Sequence, residues 1–192
     1  MQTKTKKLDR RVQYSRMVLR QSLLELLKRQ PISKISVTDI CALANVNRGT
    51  FYSHYSDQYD LLNQIQQELY DEIRSAIERT LEMESTLDLL YEIFHTIEKN
   101  GDLCKVLFSD HGDKEFLWKV LTVAHDKTIA QWKASIAPMA INPVHLEWLY
   151  TFIVNGSIGI IQAWVLGGFK EDSSEIVQFI FKVSRLGLQQ IL

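Results

Sequence analysis

The chain is short of the residues that staple, kink or catalyse. Two cysteines in 192 residues, Cys41 and Cys104, give no disulfide framework. Both read as buried thiols that behave as small hydrophobes. The first residues are basic but precede no apolar run with a small-residue cleavage site, so no leader is expected and a reducing cytoplasm suits the chain. Strand alternation, internal repeats and low-complexity segments are missing. The five histidines, His54, His95, His111, His125 and His145, share no metal-ligand spacing with cysteines or carboxylates. His111, between Asp110 and Asp113, reads as part of a solvated loop. No glycine-rich phosphate loop follows a strand, and no nucleophile elbow occurs. An enzyme, a resident metal and a cofactor are therefore not expected. The strongest apolar stretch, Phe152 to Gly168, is interrupted by Asn155 and Gln162 and falls short of the ~20 residues a spanning helix needs. It reads as a buried helix, with no membrane partner.

What is present is enough apolar material for a sizeable core, 46% of residues, and a net charge of −1 that hides an asymmetry. Residues 1–70 hold eleven Lys/Arg against six Asp/Glu, a net +5; residues 71–192 hold eleven against seventeen, a net −6. Partners are better judged from each part than from the whole.

Helical periodicity runs throughout. Residues 1–9 are polar and lysine-rich and read as a disordered arm. A helix is expected from about Arg10 to Arg29 with a stripe of Val12, Leu19, Leu23, Leu26 and Leu27, ended by Pro31. A long helix after Ser56 and Asp57 carries Tyr59, Leu62, Ile65, Leu69, Ile73 and Ile77. Further helices begin near Ser85, stop at Asn100-Gly101, resume through Leu103 to Phe108, run from Phe116 towards Trp132, and end before Pro138. Pro143 opens the next, Gly167-Gly168 closes it, and Glu175 to Leu192 is the last. The fold class is all-α.

The stretch Ser36 to Tyr55 is the most specific. Ser36 with Asp39 three residues on is a capping-box variant. Ile40, Leu43 and Ala44 fall on one face, and Asn45 can stop the helix because it tolerates a left-handed backbone. Val46 plugs the corner and Asn47 can cap a second helix. That helix turns Phe51 and Tyr55 to the core and Arg48, Thr50, Tyr52 and His54 outward, all able to donate to phosphates or base edges. Two short helices on one tight turn make a helix-turn-helix.

Asn-Arg-Gly-Thr-Phe-Tyr-Ser-His-Tyr-Ser-Asp-Gln-Tyr-Asp-Leu-Leu, residues 47–62, resembles the recognition helix and following helix start of TetR/AcrR-type transcriptional regulators. Phe152-Ile-Val-Asn-Gly-Ser-Ile-Gly-Ile-Ile-Gln-Ala-Trp164 resembles a C-terminal region of one branch of that family. The turn glycine usual there is Asn45 here, and the lysine usual at the next helix start is Gln58. The resemblance implies a helix-turn-helix DNA-binding domain over residues 8–70 and a regulatory domain over 71–192. DNA contacts would come from Thr38, Asn47, Arg48, Gly49, Thr50, Tyr52 and His54, with Arg48 and Thr50 at base edges and Tyr52 and His54 on phosphates. Lys6 and Lys7, with their neighbours in the arm, would add attraction that is independent of sequence, or would simply be solvated.

In the acidic part Tyr91, Phe94, Phe108, Trp132, Trp148 and Phe152, with His95 and Asn155, can line an effector pocket or belong to plain core. Gly156, Gly159 and Ala163, with Ile176, Ile180 and Val183 of the last helix, can form a twofold helix contact or pack within one subunit. The expected protein is a cytoplasmic homodimeric repressor, released from double-stranded operator DNA by a small-molecule effector. A helical adaptor controlled by a protein partner is the alternative.

Overall fold

A computed structural model of the chain describes residues 2–81, 85–109, 116, 118–119, 125–135 and 142–190, and all regular structure among them is helical. The chain divides into two units, Met1–Leu69 with Ser109–Gly112, and Tyr70–Phe108 with Asp113–Leu192.

In the first unit α1 (Gln2–Leu27) buries Leu19, Leu23 and Leu27, four residues apart on one face and each at most 1% exposed. The helix starts at Gln2, before the expected Arg10. The reason lies in the residues themselves: no proline or glycine interrupts Gln2–Leu27, and lysine, glutamine and leucine all favour helix. The side chains of residues 1–9, including Lys6 and Lys7, lie outside the described residues. Val12, expected on the apolar stripe, is largely exposed because the buried face forms only from Leu19 onward.

Pro31, at φ −66°, caps a short 3-10 turn over Ile32–Lys34. Then come α2 (Val37–Ala44), α3 (Arg48–Tyr52) and α4 (Gln58–Leu81). The start of α4 is fixed locally: the Asp60 amide donates to Asp57 Oδ1 at 2.8 Å and the Ser56 amide to Asp60 Oδ2 at 2.9 Å. Its buried residues are Leu61, Ile65, Leu69, Ile73 and Ala76. That face shares Ile65, Leu69 and Ile73 with the expected one but begins at Leu61, leaving Tyr59 44% exposed. The side chain of Ile77 lies outside the described residues. Arg16 donates to Gln64 at 3.3 Å and Arg20 pairs with Glu68, tying α1 to the first half of α4. Such half-exposed pairs add at most about 1 kcal/mol, so the apolar face does most of the holding.

In the second unit the helices are α5 (Thr86–Lys99), α6 (Gly101–Leu107), α7 (His125–Ser135), α8 (Pro143–Leu166) and α9 (Ser173–Gln190). Ser85 caps α5 by accepting from the Asp88 amide at 3.2 Å. Helix α9 packs on α5 and α8, α7 on α8, and α6 on α8 and α5. Phe94 meets Trp164 with ring centres 5.2 Å apart, and Ile129, Trp132, Leu146 and Tyr150 form a cluster between α7 and α8. Gly168 (φ 89°) and Phe169 (φ 59°) turn the chain out of α8. Phe169 takes this strained backbone because its ring gains a T-shaped contact with Trp164 at 4.8 Å and lies over Gly101, where a Cβ would come within 3.0 Å of it.

Helix α8 corrects one reading. It is 24 residues long, starting at Asn142, whose Oδ1 accepts from the Val144 amide at 3.0 Å, with Pro143 in its first turn. By length and composition it could cross a membrane, and only 28% of its apolar window is buried. It is neither short nor a core helix: the apolar stretch continues N-terminal to Phe152, and one side of it is exposed among the described residues.

Candidate nucleic-acid interface and apolar cavity

Local hydrogen bonds set the helix-turn-helix. Ser36 Oγ accepts from the Asp39 amide at 3.2 Å, while Asp39 Oδ2 accepts from the Ser36 amide at 3.0 Å and from its hydroxyl at 2.6 Å. The same bonds hold the Asp39 carboxyl below its ordinary value, the Ser36 hydroxyl contributing most. Asn45 ends α2 in the left-handed region, φ 53° and ψ 45°, with its amide on the Cys41 and Ala42 carbonyls. The Val46 amide donates to the Cys41 carbonyl at 3.0 Å, so the corner is closed by backbone bonds. Asn47 then caps α3, its Oδ1 accepting from the Gly49 amide at 2.7 Å.

Helix α3 spans only Arg48–Tyr52 and gives way to turn structure at Ser53 and His54, short of the expected Tyr55. Tyr55 is buried nonetheless, its ring centre 5.6 Å from that of Phe51, which is fully buried. Thr38, Asn47, Arg48, Gly49 and Tyr52 are exposed; Thr50 and His54 are half-buried. Two of these are already engaged within the turn. The Asn47 side-chain carbonyl accepts from the Gly49 amide, so both residues already serve in the cap of α3. Burial raises the Cys41 thiol above its ordinary value, and the charge of Arg48 partly offsets this.

In the second unit a cavity of about 100 Å³ opens between α5, α7, α8 and α9. Of the residues expected around an effector, Phe94 and Trp132 line it. Tyr91 instead accepts from Gln178 Nε2 at 2.9 Å, Phe108 is buried outside the lining, and His95 is exposed. Trp148 and Phe152 are 66% and 70% exposed and turned away from the cavity. Asn155 is exposed too, and Nδ2 donates to the Thr151 carbonyl of its own helix at 2.7 Å. The reason is helical phase. Tyr150, Val154, Ser157 and Ile161 face the cavity, whereas Trp148, Phe152, Asn155, Gly156, Gly159 and Ala163 make the opposite, exposed side.

That exposed side carries the expected subunit contact. A Cβ added at Gly156 or Gly159 meets nothing within 4 Å. On α9, Phe179 and Leu186 are 57% exposed beside half-buried Ile176 and Val183. Ile180 is only 4% exposed and serves both sides: it lines the cavity and also a shallower pocket with Phe152, Gly156, Phe179 and Val183. The hydroxyl-bearing members of the cavity wall, Thr86, Thr128, Ser157 and Ser184, with Tyr150, were not anticipated from sequence. No local signal gathers them, since they come from four helices far apart in the chain.

Burial pushes the Tyr150 phenol up to about 12, and its ring meets that of His125 edge-on at 4.6 Å. His125 Nδ1 lies 2.8 Å from Asp126 and Nε2 2.9 Å from Glu147; these bonds, Asp126 foremost, raise it above the ordinary histidine value of 6.5. Cys104 is deeply buried and pushed up to about 12, an inert thiol. Among the described residues no group of three His, Cys, Asp or Glu side chains could hold a metal. His111 and its neighbouring aspartates lie outside the described residues.

Comparison with known proteins covers both units. A family model described as "Bacterial regulatory proteins, tetR family" matches residues 21–65, and one described as "Transcriptional regulator C-terminal region" matches residues 84–185, more than half the chain. The uncharacterized HTH-type transcriptional regulator YxbF of Bacillus subtilis (strain 168) is 38% identical over 60 residues, 31% of this chain but only 16% of that protein's length. Among solved structures, a TetR transcriptional regulator from Streptococcus agalactiae 2603V superposes with a TM-score of 0.67 at 22% identity, covering 94% of this chain and 98% of the other. The dihydroxyacetone kinase operon activator DhaS gives 0.61 at 18% identity, covering 92% and 96%. At these identities the structural likeness shows the fold.

Proposed function

Because the chain belongs to the TetR family of bacterial regulatory proteins, we propose that this DNA-binding transcriptional regulator is a repressor, released from its operator by a small molecule in the cavity of its second unit. The observation that carries the reading is the helix-turn-helix with exposed Thr38, Arg48 and Tyr52 on a unit of net positive charge. Residues 8–70 are then the DNA-binding domain and 71–192 the regulatory one. Arg48 forks onto a guanine edge, Thr50 reads a neighbouring base, and Tyr52 and His54 grip phosphates. Lys6 and Lys7 add counterion release. A protein that works on DNA in this way acts in the cytoplasm, which is where the reading puts it.

A second copy completes the machine. Half-sites in operators of this kind lie about 34–36 Å apart, so two recognition helices must be held at a fixed spacing. The uncovered apolar side of α8 and α9, with small residues at Gly156, Gly159 and Ala163, supports a twofold contact there. A ligand that favours another spacing lowers operator affinity by differential binding to two states. Gly159→Leu puts a branched side chain into that contact and should yield monomers with weakened operator binding. An intact dimer on sedimentation, with unchanged DNA affinity, removes Gly159 from the interface.

The test of function is a salt-dependent mobility-shift titration on the promoter region beside its own gene, with a reporter in cells lacking the protein. Specific binding and a rise in transcription on deletion support a repressor. A fall makes it an activator, the role for which DhaS is named. Absence of any specific site favours the protein-controlled adaptor.

A further inference from the structure

The cavity's wall says what kind of molecule it accepts. Its lining among the described residues contains no Asp, Glu, Lys, Arg or His; Phe94 and Trp132 supply aromatic walls, and the polar side-chain groups are hydroxyls and the Trp132 indole N–H, all of them uncharged. Two of those hydroxyls have already committed their protons. Thr86 Oγ1 donates to Gln131 Oε1 at 3.1 Å, and Ser184 Oγ donates to the Ile180 carbonyl at 2.9 Å. What they retain is acceptance, so they suit a ligand that donates a hydrogen bond and offer nothing to an anion. The nearest charged cluster, His125 with Asp126 and Glu147, lies beyond the Tyr150 ring and is paired within itself. Burying an ion without a partner is strongly disfavoured. Size sets the other limit. An apolar cavity of about 150 Å³ takes up benzene; this one, at about 100 Å³, is smaller, so a single ring or a chain of similar bulk is the largest occupant it admits.

We propose that the cavity selects an uncharged, largely apolar molecule of single-ring size with at most one hydrogen-bond donor, and refuses anions and cations of the same bulk. This rests on the effector reading above. The probes are toluene, benzyl alcohol, benzoate and benzylammonium at pH 7, added to the full-length protein. Binding is read by calorimetry and thermal unfolding, and operator affinity by mobility shift. Toluene and benzyl alcohol should bind in competition, raise the unfolding temperature and weaken operator binding, with the two ions at least about 100-fold weaker. Leu90→Phe, which places a ring in the cavity, should abolish binding of the neutral probes; competition between toluene and benzyl alcohol tests the shared site even if that variant does not fold. Ser184→Ala should weaken benzyl alcohol and leave toluene unchanged.

Benzoate binding as tightly as benzyl alcohol, and displaced by toluene, overturns the selectivity. So does failure of all four probes to bind, or undiminished binding to a folded Leu90→Phe protein. Neutral probes that bind without altering operator affinity uphold the ligand class and overturn the effector reading instead.

Discussion

The two units use their surfaces in opposite ways. In the first unit the aromatic at the centre of the motif, Phe51, is fully buried, and the exposed positions around it include the donors Thr38, Arg48 and Tyr52 beside one large apolar side chain, Leu43. In the unit that follows, Trp148, Phe152, Phe179 and Leu186 are all more than half exposed. A polyanion rewards donors and positive charge, whereas a second apolar surface rewards bulk and close approach. Surface chemistry therefore distinguishes the partner of each unit more sharply than core composition does, since Leu, Ile and Phe are buried in both.

The largest effect expected from breaking this contrast comes from the two phenylalanines. Phe51→Ala should cost about 3–5 kcal/mol of the first unit's stability and abolish operator binding, because it opens a cavity under the motif. Phe152→Ala should leave folding within a subunit nearly unchanged and weaken self-association. Denaturant unfolding with sedimentation separates them, and equal losses of stability at both sites would erase the distinction.

Arg48→Ala should weaken operator binding by about 1–3 kcal/mol and relax preference at one base pair. Titrations against operator variants decide it: a uniform loss across all of them makes Arg48 a phosphate contact. Ser36→Ala should be smaller, about 1 kcal/mol, since it removes the hydroxyl that caps α2 and leaves the helix-turn-helix core intact. Thermal unfolding indistinguishable from the parent protein would show that the cap is dispensable.

The smallest effect is expected at His125. Its folded pKa is raised, so the stability it contributes is fully present below its unfolded value and is lost as pH rises through the folded one. Glu147→Gln should bring the titration back towards 6.5 and flatten that pH dependence, as followed by NMR of the imidazole. No movement of the midpoint would mean that Asp126 alone holds the charged form. Operator binding should be unaffected, which keeps this site apart from the DNA-binding surface.

Where structure is written in neighbouring residues, the sequence by itself determined it. Ser36 with Asp39, Asn45 and Asn47 specify two helices and the turn between them through bonds no more than five residues apart, and hence a helix-turn-helix. The all-helical class, the stop at Asn100 and the close of α8 at Gly167-Gly168 were legible for the same reason. Tertiary structure decided what depends on helical phase and on distant partners. The apolar residues of α8 are too many for one face, so periodicity left Trp148, Phe152 and Asn155 undivided from Tyr150 and Ser157. Packing against α5, α7 and α9 turned Tyr150 and Ser157 inward to the cavity and the others to solvent, and drew Ile180 inward with them. A rotation of one helix by half a turn would exchange those roles without altering any local bond, which is why no local signal could choose between them.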